Sequence, residues 1–343
     1  DEETGMTGAI ELKPGVLKGE ILLNLDTEED DEIDIGCAGG IDVTATRSYS
    51  EVSVANNSIA YQIKVNGLKG GHSGMDIHRG LGNANNIMNR LLFQANTNYN
   101  IGINEIDGGS LRNAIPREST AIIVVAKEKK EVFEQELNTW TETIINELSL
   151  PEPQLKIELK SSELPDKVME SVAQETILKS IYAALNGVYA MSAAIPELVE
   201  TSNNIARVLV KKGQIKIGCL TRSSVDSAKM YLATSLKCAF ELAKCEVVFD
   251  GHYPGWNPNP DSPILEVLTT KYKSLYGEMP KVVACHAGLE CGILGKNYPE
   301  MDMVSFGPTI KGAHSPDERA NIASVQKFWG FLLEILKDSP KKK

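Results

Sequence analysis

The sequence lacks a long apolar run, a basic surface and a regular framework of cysteines. Its apolar stretches are far shorter than the roughly 20 residues that span a bilayer, and the opening Asp1-Glu2-Glu3 is not typical of a secretory signal. The six cysteines contain no CxxC pair, so reduced thiols and a cytoplasmic location are expected. The net charge of -11 would repel nucleic acid and acidic lipid. We therefore expect a small peptide or another small molecule as the partner, with no nucleic acid and no membrane.

The motifs of two large enzyme classes are also missing. No GxGxxG follows a predicted strand, which argues against a dehydrogenase. No GxSxG elbow is present, which argues against a nucleophilic serine. Histidine is scarce, with five residues in 343, and the first of them is His72. The candidate residues are instead carboxylates and histidines.

The sequence patterns at both ends of the chain predict parts of one α/β domain. The predicted elements are strands at 20–26, 281–285 and 302–306 and helices at 263–276 and from 322 onward. Since domains typically hold about 100 to 200 residues, the length favours two domains. Residues 1–48 and 251–343 are interpreted as a discontinuous catalytic domain. This domain has few residues for an open parallel sheet with helices on both faces.

The middle of the chain, residues 49–250, predicts an inserted domain with an internal repeat. Two successive β-α-β-β-α units are indicated, at about 49–150 and 151–250. The predicted strands are 59–65, 100–105, 120–126, 154–160, 204–210 and 214–220, and the predicted helices are 81–95, 130–148, 167–185 and 225–243. The expected fold class is therefore α/β, a catalytic domain that carries a doubled α+β lid.

Three motifs carry ionisable side chains that suit a hydrolytic zinc site. Glu2 and Glu3 could divide labour, one binding a cation and the other taking a proton from metal-bound water, or they could form a solvated acidic terminus. Asp26 ends an apolar strand and is either a ligand or a cap of the next turn. His314 lies in a loop before the final helix and is either a zinc ligand or a helix-entry residue. Spacing alone leaves these alternatives open.

Seven short motifs occur in an order that resembles a known family. They are DEETGMTG at 1–8, NLDTEE at 24–29, GGHSG at 70–74, RNAIP at 112–116, LTRSS at 220–224, HAGLECG at 286–292 and GAHSP at 312–316. As a set they resemble the cocatalytic zinc peptidases that include carnosinases, aminoacylase-1 and carboxypeptidase G. The resemblance covers essentially the whole chain and is strongest to the bacterial aminoacyl-histidine (Xaa-His) dipeptidases, whose lid is doubled. It implies metal-dependent hydrolysis of dipeptides of the β-alanyl-histidine type.

The resemblance also implies a role for each candidate side chain. Glu2 would be the general base and Glu3 a ligand of one zinc. Asp26 would bind one metal and His314 the other, while His72 would stabilise the developing oxyanion from the lid. The residues that would line the substrate pocket are Asn113, Arg222, Gly288, His286 and Glu290. The structural alternatives are local backbone bonding for His72, a turn contact for Asn113, and exposed helix charges for Arg222 and Glu290.

The chain departs from the family pattern before the Glu2-Glu3 pair. The family carries a His-x-Asp motif and a metal-bridging aspartate there, and this chain has neither, so the N-terminal part of the catalytic domain is expected to be missing. The resemblance implies two zinc ions per complete site, with Co2+ or Mn2+ as alternatives. Glu3, Asp26 and His314 alone give each metal too few ligands, so this stretch by itself is expected to be weak or inactive.

Other functions remain open on the sequence. A related carboxypeptidase, tripeptidase or amide deacylase belongs to the same enzyme class, and substrate profiling would separate these. A non-catalytic binding or assembly module that retains the lid is a different class of protein. A doubled lid could imitate a dimer within one chain, whereas a single lid often pairs with another copy; a homodimer is the expected assembly.

Overall fold

The computed structural model describes residues 6–193, 195–311 and 318–338 of the chain. In chain order, the strands are β1 (Ile21–Asn24), β2 (Glu32–Cys37), β3 (Gly39–Ser48), β4 (Glu51–Ser53), β5 (Ser58–Asn66), β6 (Gly71–His72), β7 (Gly102–Gly108), β8 (Ala114–Ile115), β9 (Ser119–Ala126), β10 (Lys156–Ser162), β11 (Lys167–Met169), β12 (Gly187–Met191), β13 (Val199–Lys211), β14 (Gln214–Ser223), β15 (Glu246–Tyr253), β16 (Lys281–Cys285), β17 (Asp302–Ser305), β18 (Ile310–Lys311) and β19 (Arg319–Ala320). The helices are α1 (Thr7–Glu11), α2 (Ala84–Tyr99), α3 (Lys130–Glu147), α4 (Ser171–Ala183), α5 (Asp226–Leu242), α6 (Pro263–Tyr276), α7 (Glu290–Asn297) and α8 (Ile322–Asp338). No helix in these ranges is long and apolar enough to cross a membrane.

The smaller sheet has the strand order β1-β17-β2-β16 and packs against two helices. β1 runs parallel to β17, and β16 runs parallel to β2. Helices α6 and α8 pack together and bury Leu268 and Phe331 in one core with Ile33 and Val304 of the sheet. Full burial of such a side chain contributes roughly 1.5–3 kcal/mol. This core fixes the strand ends that carry the candidate carboxylates.

The larger sheet is antiparallel and has the order β10-β5-β9-β7-β13-β14-β3-β15, with β12 pairing beside β13. Helices α3, α2, α4 and α5 pack side by side in that order and share one hydrophobic core with the sheet. The apolar residues of the strands alternate, because successive side chains of a strand point to opposite faces. One face of the central strands is therefore buried under the helices, and the edge strands β10 and β15 place partly buried residues such as Ile157 and Phe249 against the same core.

The sheet order shows how the two repeated units are assembled. β5, β9 and β7 form the first unit with α2 and α3, and β3, β14 and β13 form the second with α4 and α5. β10 pairs with β5 at the outer edge of the first unit. The strand expected at 154–160, in the second unit, therefore belongs to the sheet of the first unit. The second unit instead takes its first strand from β3, which precedes the first unit in sequence. The helix expected at 167–185 starts only at Ser171, because 167–169 form β11 against β4.

The chain passes between the two sheets through two segments that are bonded to each other. The backbone N–H groups of Cys37 and Trp256 each donate to the other residue's carbonyl, both at 2.9 Å. A Cβ added to Gly39 would lie 2.4 Å from the backbone nitrogen of Gly255, so only glycine permits this approach. β3 belongs to the larger sheet, and we therefore propose a domain boundary near residue 38 for the first passage, in place of residue 48.

Candidate active site

His72 lies in a tight loop that its own ring helps to hold. The His72 Nδ1 atom accepts hydrogen bonds from the backbone N–H groups of Gly74 at 3.2 Å and Met75 at 3.1 Å. A ring nitrogen that accepts carries no hydrogen, so the neutral imidazole holds its hydrogen on Nε2. The Asp76 carboxylate accepts from the backbone N–H of His72 at 2.8 Å and fixes the loop further. Local backbone bonding and a functional Nε2 atom are thus compatible in this residue.

Arg222 meets His72 from the other unit of the larger sheet. Its side chain is buried, at 4% exposure, and its Nη2 atom lies 3.4 Å from His72 Nε2. Both atoms are hydrogen donors, since the guanidinium is always protonated and Nε2 carries the hydrogen of the imidazole. Two donors at this distance can bind neighbouring oxygen acceptors of one small molecule. The burial excludes the alternative of an exposed helix-entry charge at Arg222.

Tyr253 holds the arginine from the far side. Arg222 Nη1 donates to the Tyr253 hydroxyl at 2.8 Å, while Arg222 Nε is buried without a hydrogen-bond partner among the described residues. Burial raises the pKa of Tyr253, against an opposing effect of the Arg222 charge, so the phenol stays neutral. The Tyr253 carbonyl accepts at 2.7 Å from Lys229, whose side chain is fully buried. Arg222 is thereby fixed before any ligand binds.

His286 brings a second imidazole to the same place, and this one is buried. It follows β16, is 5% exposed, and its Nε2 atom lies 2.7 Å from the hydroxyl of Ser202 on β13. Burial and, to a smaller extent, the neighbouring Arg222 charge lower the pKa of His286 to about 3. The ring is neutral near pH 7, and its Nδ1 atom has no hydrogen-bond partner within the described ranges.

The loop after His286 links this cluster to the strand ends of the smaller sheet. A Cβ added to Gly288 would lie 3.0 Å from the Tyr253 ring, so a glycine lets the loop approach that ring. The Glu290 carboxylate, at the start of α7, accepts from the side-chain amide of Asn24 at 3.5 Å. Burial raises the pKa of the adjacent Cys291, and the carboxylates of both Glu290 and Asp26 contribute. Glu290 and the exposed Asp26 therefore lie at the same edge of the sheet.

Asn113 lies beside His72 on the neighbouring turn. The Asn113 carbonyl accepts from the backbone N–H of Ser73 at 2.8 Å, and His72 pairs with Ala114 between β6 and β8. The side chain of Asn113 is exposed, whereas its backbone is held. The turn is closed by a backbone bond from Ala114 to Leu111 at 3.2 Å.

Three of the expected residues, Glu2, Glu3 and His314, lie outside the described residues. Within the described ranges, no three His, Cys, Asp or Glu side chains are grouped so that they could hold a metal ion. Asp26, with Glu290 near it, is the part of the expected metal site that these ranges contain. The described residues by themselves do not complete a metal site.

The sequence reasoning missed Ser202 and Tyr253. Ser202 lies in the interior of a long strand, and Tyr253 ends a strand that the sequence analysis did not predict. Neither residue belongs to a recognisable motif. Their roles arise from pairing, because Ser202 lies opposite Arg222 in the β13–β14 register. Only the fold shows this neighbourhood.

These features define a hydrolase with a lid: a sheet with carboxylates at its strand ends, faced by a histidine and an arginine from a second, doubled sheet. Comparison with known proteins agrees with this class. A family model described as the peptidase dimerisation domain matches residues 57–150, which contain the first unit of the larger sheet.

Two relatives identify the family. The cytosol non-specific dipeptidase of Escherichia coli (strain K12) is 41% identical over 341 residues, which are 99% of this chain and 70% of that protein. The crystal structure of aminoacylhistidine dipeptidase from Vibrio alginolyticus is 40% identical and superposes with a TM-score of 0.95, covering all of this chain and 70% of that one. The chain belongs to the M20 metallopeptidase family, in the group of these dipeptidases. The expected α/β fold class and the family resemblance are confirmed.

Proposed function

We propose that the site in this chain serves the hydrolysis of dipeptides that have a free terminal carboxylate, with Xaa-His dipeptides of the β-alanyl-histidine type among its substrates, and that the activity of this stretch by itself is weak. Hydrolysis of dipeptides is supported by the two relatives that are named dipeptidases. The preference for Xaa-His is the finer proposal, and one relative that shares 40% of its residues is named an aminoacylhistidine dipeptidase. A cytoplasmic location is proposed with it, in line with the cytosol dipeptidase of Escherichia coli.

The observation that carries the proposal is the facing pair of donors, His72 Nε2 and Arg222 Nη2, 3.4 Å apart. A guanidinium suits a planar carboxylate, because paired hydrogen bonds match the two oxygens. We assign the terminal carboxylate to Arg222 and the carbonyl oxygen of the scissile bond to His72. Donors that are already in place stabilise developing negative charge more effectively than water does. A substrate that reaches both groups is about one dipeptide in length.

The other pocket residues complete the proposed site. The exposed Asn113 side chain would hold the substrate backbone. Gly288 leaves room for the substrate beside Tyr253, and the neutral His286 offers Nδ1 for a hydrogen bond to the substrate. Glu290 would line the pocket near Asp26. None of these roles needs a change of charge on His286 near pH 7, given its lowered pKa.

M20 dipeptidases depend on a metal, and we propose zinc, with Co2+ or Mn2+ as substitutes. Glu3, Asp26 and His314 are the proposed ligands in this chain, and Glu2 is the proposed general base. Carboxylate oxygen and neutral imidazole are common zinc donors. Elemental analysis of the purified chain together with an assay of β-alanyl-histidine tests this assignment. Stoichiometric metal without zinc would contradict the choice of ion.

We also propose that the chain forms a homodimer. The matched dimerisation domain at 57–150 coincides with the first unit of the larger sheet, and that sheet ends in the edge strands β10 and β15. An edge strand presents unpaired backbone groups to a second copy. Sedimentation at several protein concentrations tests the assembly, and a mass that stays monomeric would contradict it.

Substrate profiling tests the proposed function against its alternatives. Kinetic constants would be compared for β-alanyl-histidine, alanyl-histidine, the C-terminal amide of alanyl-histidine, a tripeptide and an N-acetyl amino acid. We expect the amide to lose about 100-fold in kcat/KM relative to the free carboxylate, because a buried charge loses its partner. Preferred cleavage of the tripeptide would favour a tripeptidase, and preferred cleavage of the N-acetyl compound would favour a deacylase. Binding without cleavage would favour the non-catalytic module.

Arg222→Met isolates the carboxylate contact. The variant should lose its discrimination between the free dipeptide and its amide, because the guanidinium that binds the carboxylate is absent. Arg207→Met is the matched control, since Arg207 lies in the same sheet and donates to the carbonyls of Gly108 and Gly109 outside the site. The control should keep the wild-type discrimination. Equal loss in both variants would contradict the assignment of Arg222.

A further inference from the structure

We infer that Asn204 positions the substrate-binding turn and the His72 loop of this enzyme, an inference that rests on the proposed role of Asn113. Asn204 is fully buried on β13. Its side-chain amide donates to the carbonyls of Arg112 at 3.1 Å and Ala114 at 2.8 Å, the two residues that flank Asn113. One side chain thus holds both ends of the segment that presents Asn113.

The orientation of this amide is fixed by its partners. Backbone carbonyls can only accept, so the nitrogen of Asn204 must face the turn. The Asn204 Oδ1 atom accepts from the Asn83 side-chain amide at 3.2 Å, and the Asn83 Oδ1 atom in turn caps the start of α2. The turn is therefore tied through Asn204 to the end of a helix that packs in the core.

The same network of hydrogen bonds extends to His72. Ala114, which accepts from Asn204, pairs with His72 in the short β6–β8 ladder, and Ser73 donates to the carbonyl of Asn113. Displacing the turn therefore displaces the His72 loop with it. Asn204 also lies two residues from Ser202 on the same strand, so both side chains point to the site face of β13. Asn204 touches no proposed substrate atom, and its role is to position other residues.

The neighbouring Asn203 provides a matched control. It is also fully buried, but it points to the opposite face of the sheet, where its amide donates to the carbonyl of Leu185 at 2.6 Å. Its Oδ1 atom accepts from the Thr221 hydroxyl at 3.0 Å. Asn203→Asp and Asn204→Asp thus make the same chemical change. Each keeps the accepting oxygen and turns a second oxygen toward backbone carbonyls.

The test compares kinetics and stability of Asn204→Asp, Asn203→Asp and the wild-type chain with alanyl-histidine as substrate. For Asn204→Asp we expect kcat/KM to fall about 10- to 100-fold, mainly through a higher KM, because misplacing a binding group by about 1 Å costs up to 100-fold. Asn203→Asp should lower the melting temperature without changing KM. A purely structural role for Asn204 would reduce the folded fraction, which lowers apparent kcat and leaves KM unchanged. That result, or an equal rise of KM in both variants, overturns the inference.

Histidine resonances provide a readout that does not need turnover. The chain has five histidines, so a spectrum of protein labelled with 15N in histidine is simple enough to assign by substitution. Asn204→Asp should shift the His72 ring signals, and Asn203→Asp should leave them in place. If the wild-type chain cleaves no dipeptide, the proposed function fails, whereas unchanged His72 signals in Asn204→Asp overturn the present inference independently. Should either aspartate variant fail to fold, the pair Asn204→Ala and Asn203→Ala gives the same comparison.

Discussion

A methyl group placed at Gly74 should separate the His72 loop from the His286 loop and abolish most of the activity. An added Cβ would lie 2.0 Å from the carbonyl oxygen of His286, where real Cβ contacts do not fall below 3.0 Å. The two loops must therefore move apart by about 1 Å, the difference between the 2.0 Å approach and the 3.0 Å limit. Displacement on that scale costs about 100-fold in rate when it affects groups that orient the substrate. Overpacking should also destabilise the fold by roughly 1–3 kcal/mol.

The assay for Gly74→Ala needs a control that is equally crowded elsewhere. In Gly67→Ala the new Cβ would lie 2.1 Å from the carbonyl oxygen of Gln154, and Gly67 also has a positive φ of 76°. This variant should be at least as destabilised, yet it should keep its kcat/KM once the rate is corrected for the folded fraction. We expect Gly74→Ala to show about 100-fold lower kcat/KM with alanyl-histidine. A value within threefold of wild type, at a normal folded fraction, would refute the geometry inferred for the two loops.

Two further predictions concern protons and metal. His286 is neutral and 5% exposed in the folded chain, with its pKa lowered to about 3 from 6.5 by burial and by the Arg222 charge. Because the unfolded chain takes up a proton near pH 6.5 and the folded chain only near pH 3, this residue should cost about 2 kcal/mol of stability as the pH falls from 7.5 to 5. Urea unfolding of wild type and His286→Asn should show this dependence in the wild type alone, and parallel curves would contradict it. Removal of metal with a chelator should abolish dipeptide hydrolysis, and Zn2+ should restore it; full activity in the metal-free chain would contradict the zinc assignment.

Local signals in the sequence predicted some elements at their observed bounds. The helix expected at 263–276 is α6, since Ser262 caps its start, Pro263 suits its first turn, and Gly277 ends it in the left-handed conformation. The strand expected at 281–285 is β16. These signals act over a few residues, so they are visible without the fold.

Other elements depend on partners distant in the sequence. β3 was not predicted, and its Gly40 packs against the ring of Tyr253, a residue more than 200 positions away, where a Cβ would lie only 2.5 Å from the ring. The residues at 156–162 have a strand pattern, but nothing in that pattern states that β5 is their neighbour. Periodicity identifies a strand and its buried face, and the choice of neighbour is made by the packing of the whole sheet.

The same distinction holds for the site. His72, Asn113, Arg222 and Gly288 were singled out because short motifs resembled a family, and the structure brings their loops together. The resemblance assigned them roles, which remain proposals. Ser202, Asn204 and Tyr253 gave no such signal, because their importance lies in bonds to residues at least 20 positions away. Motifs indicate groups that touch a ligand more readily than they indicate the groups that hold them.

The doubled sheet explains why both units are needed in one site. His72 and Asn113 come from the first unit, on loops next to β5 and β8, and Arg222 comes from the end of β14 in the second. Asn204 bonds the turn of the first unit to a strand of the second. Neither unit alone contains a donor pair such as His72 Nε2 and Arg222 Nη2. The pairing of β7 with β13 therefore fixes the distance between the two donors. A substitution that shifts this pairing should change substrate recognition directly.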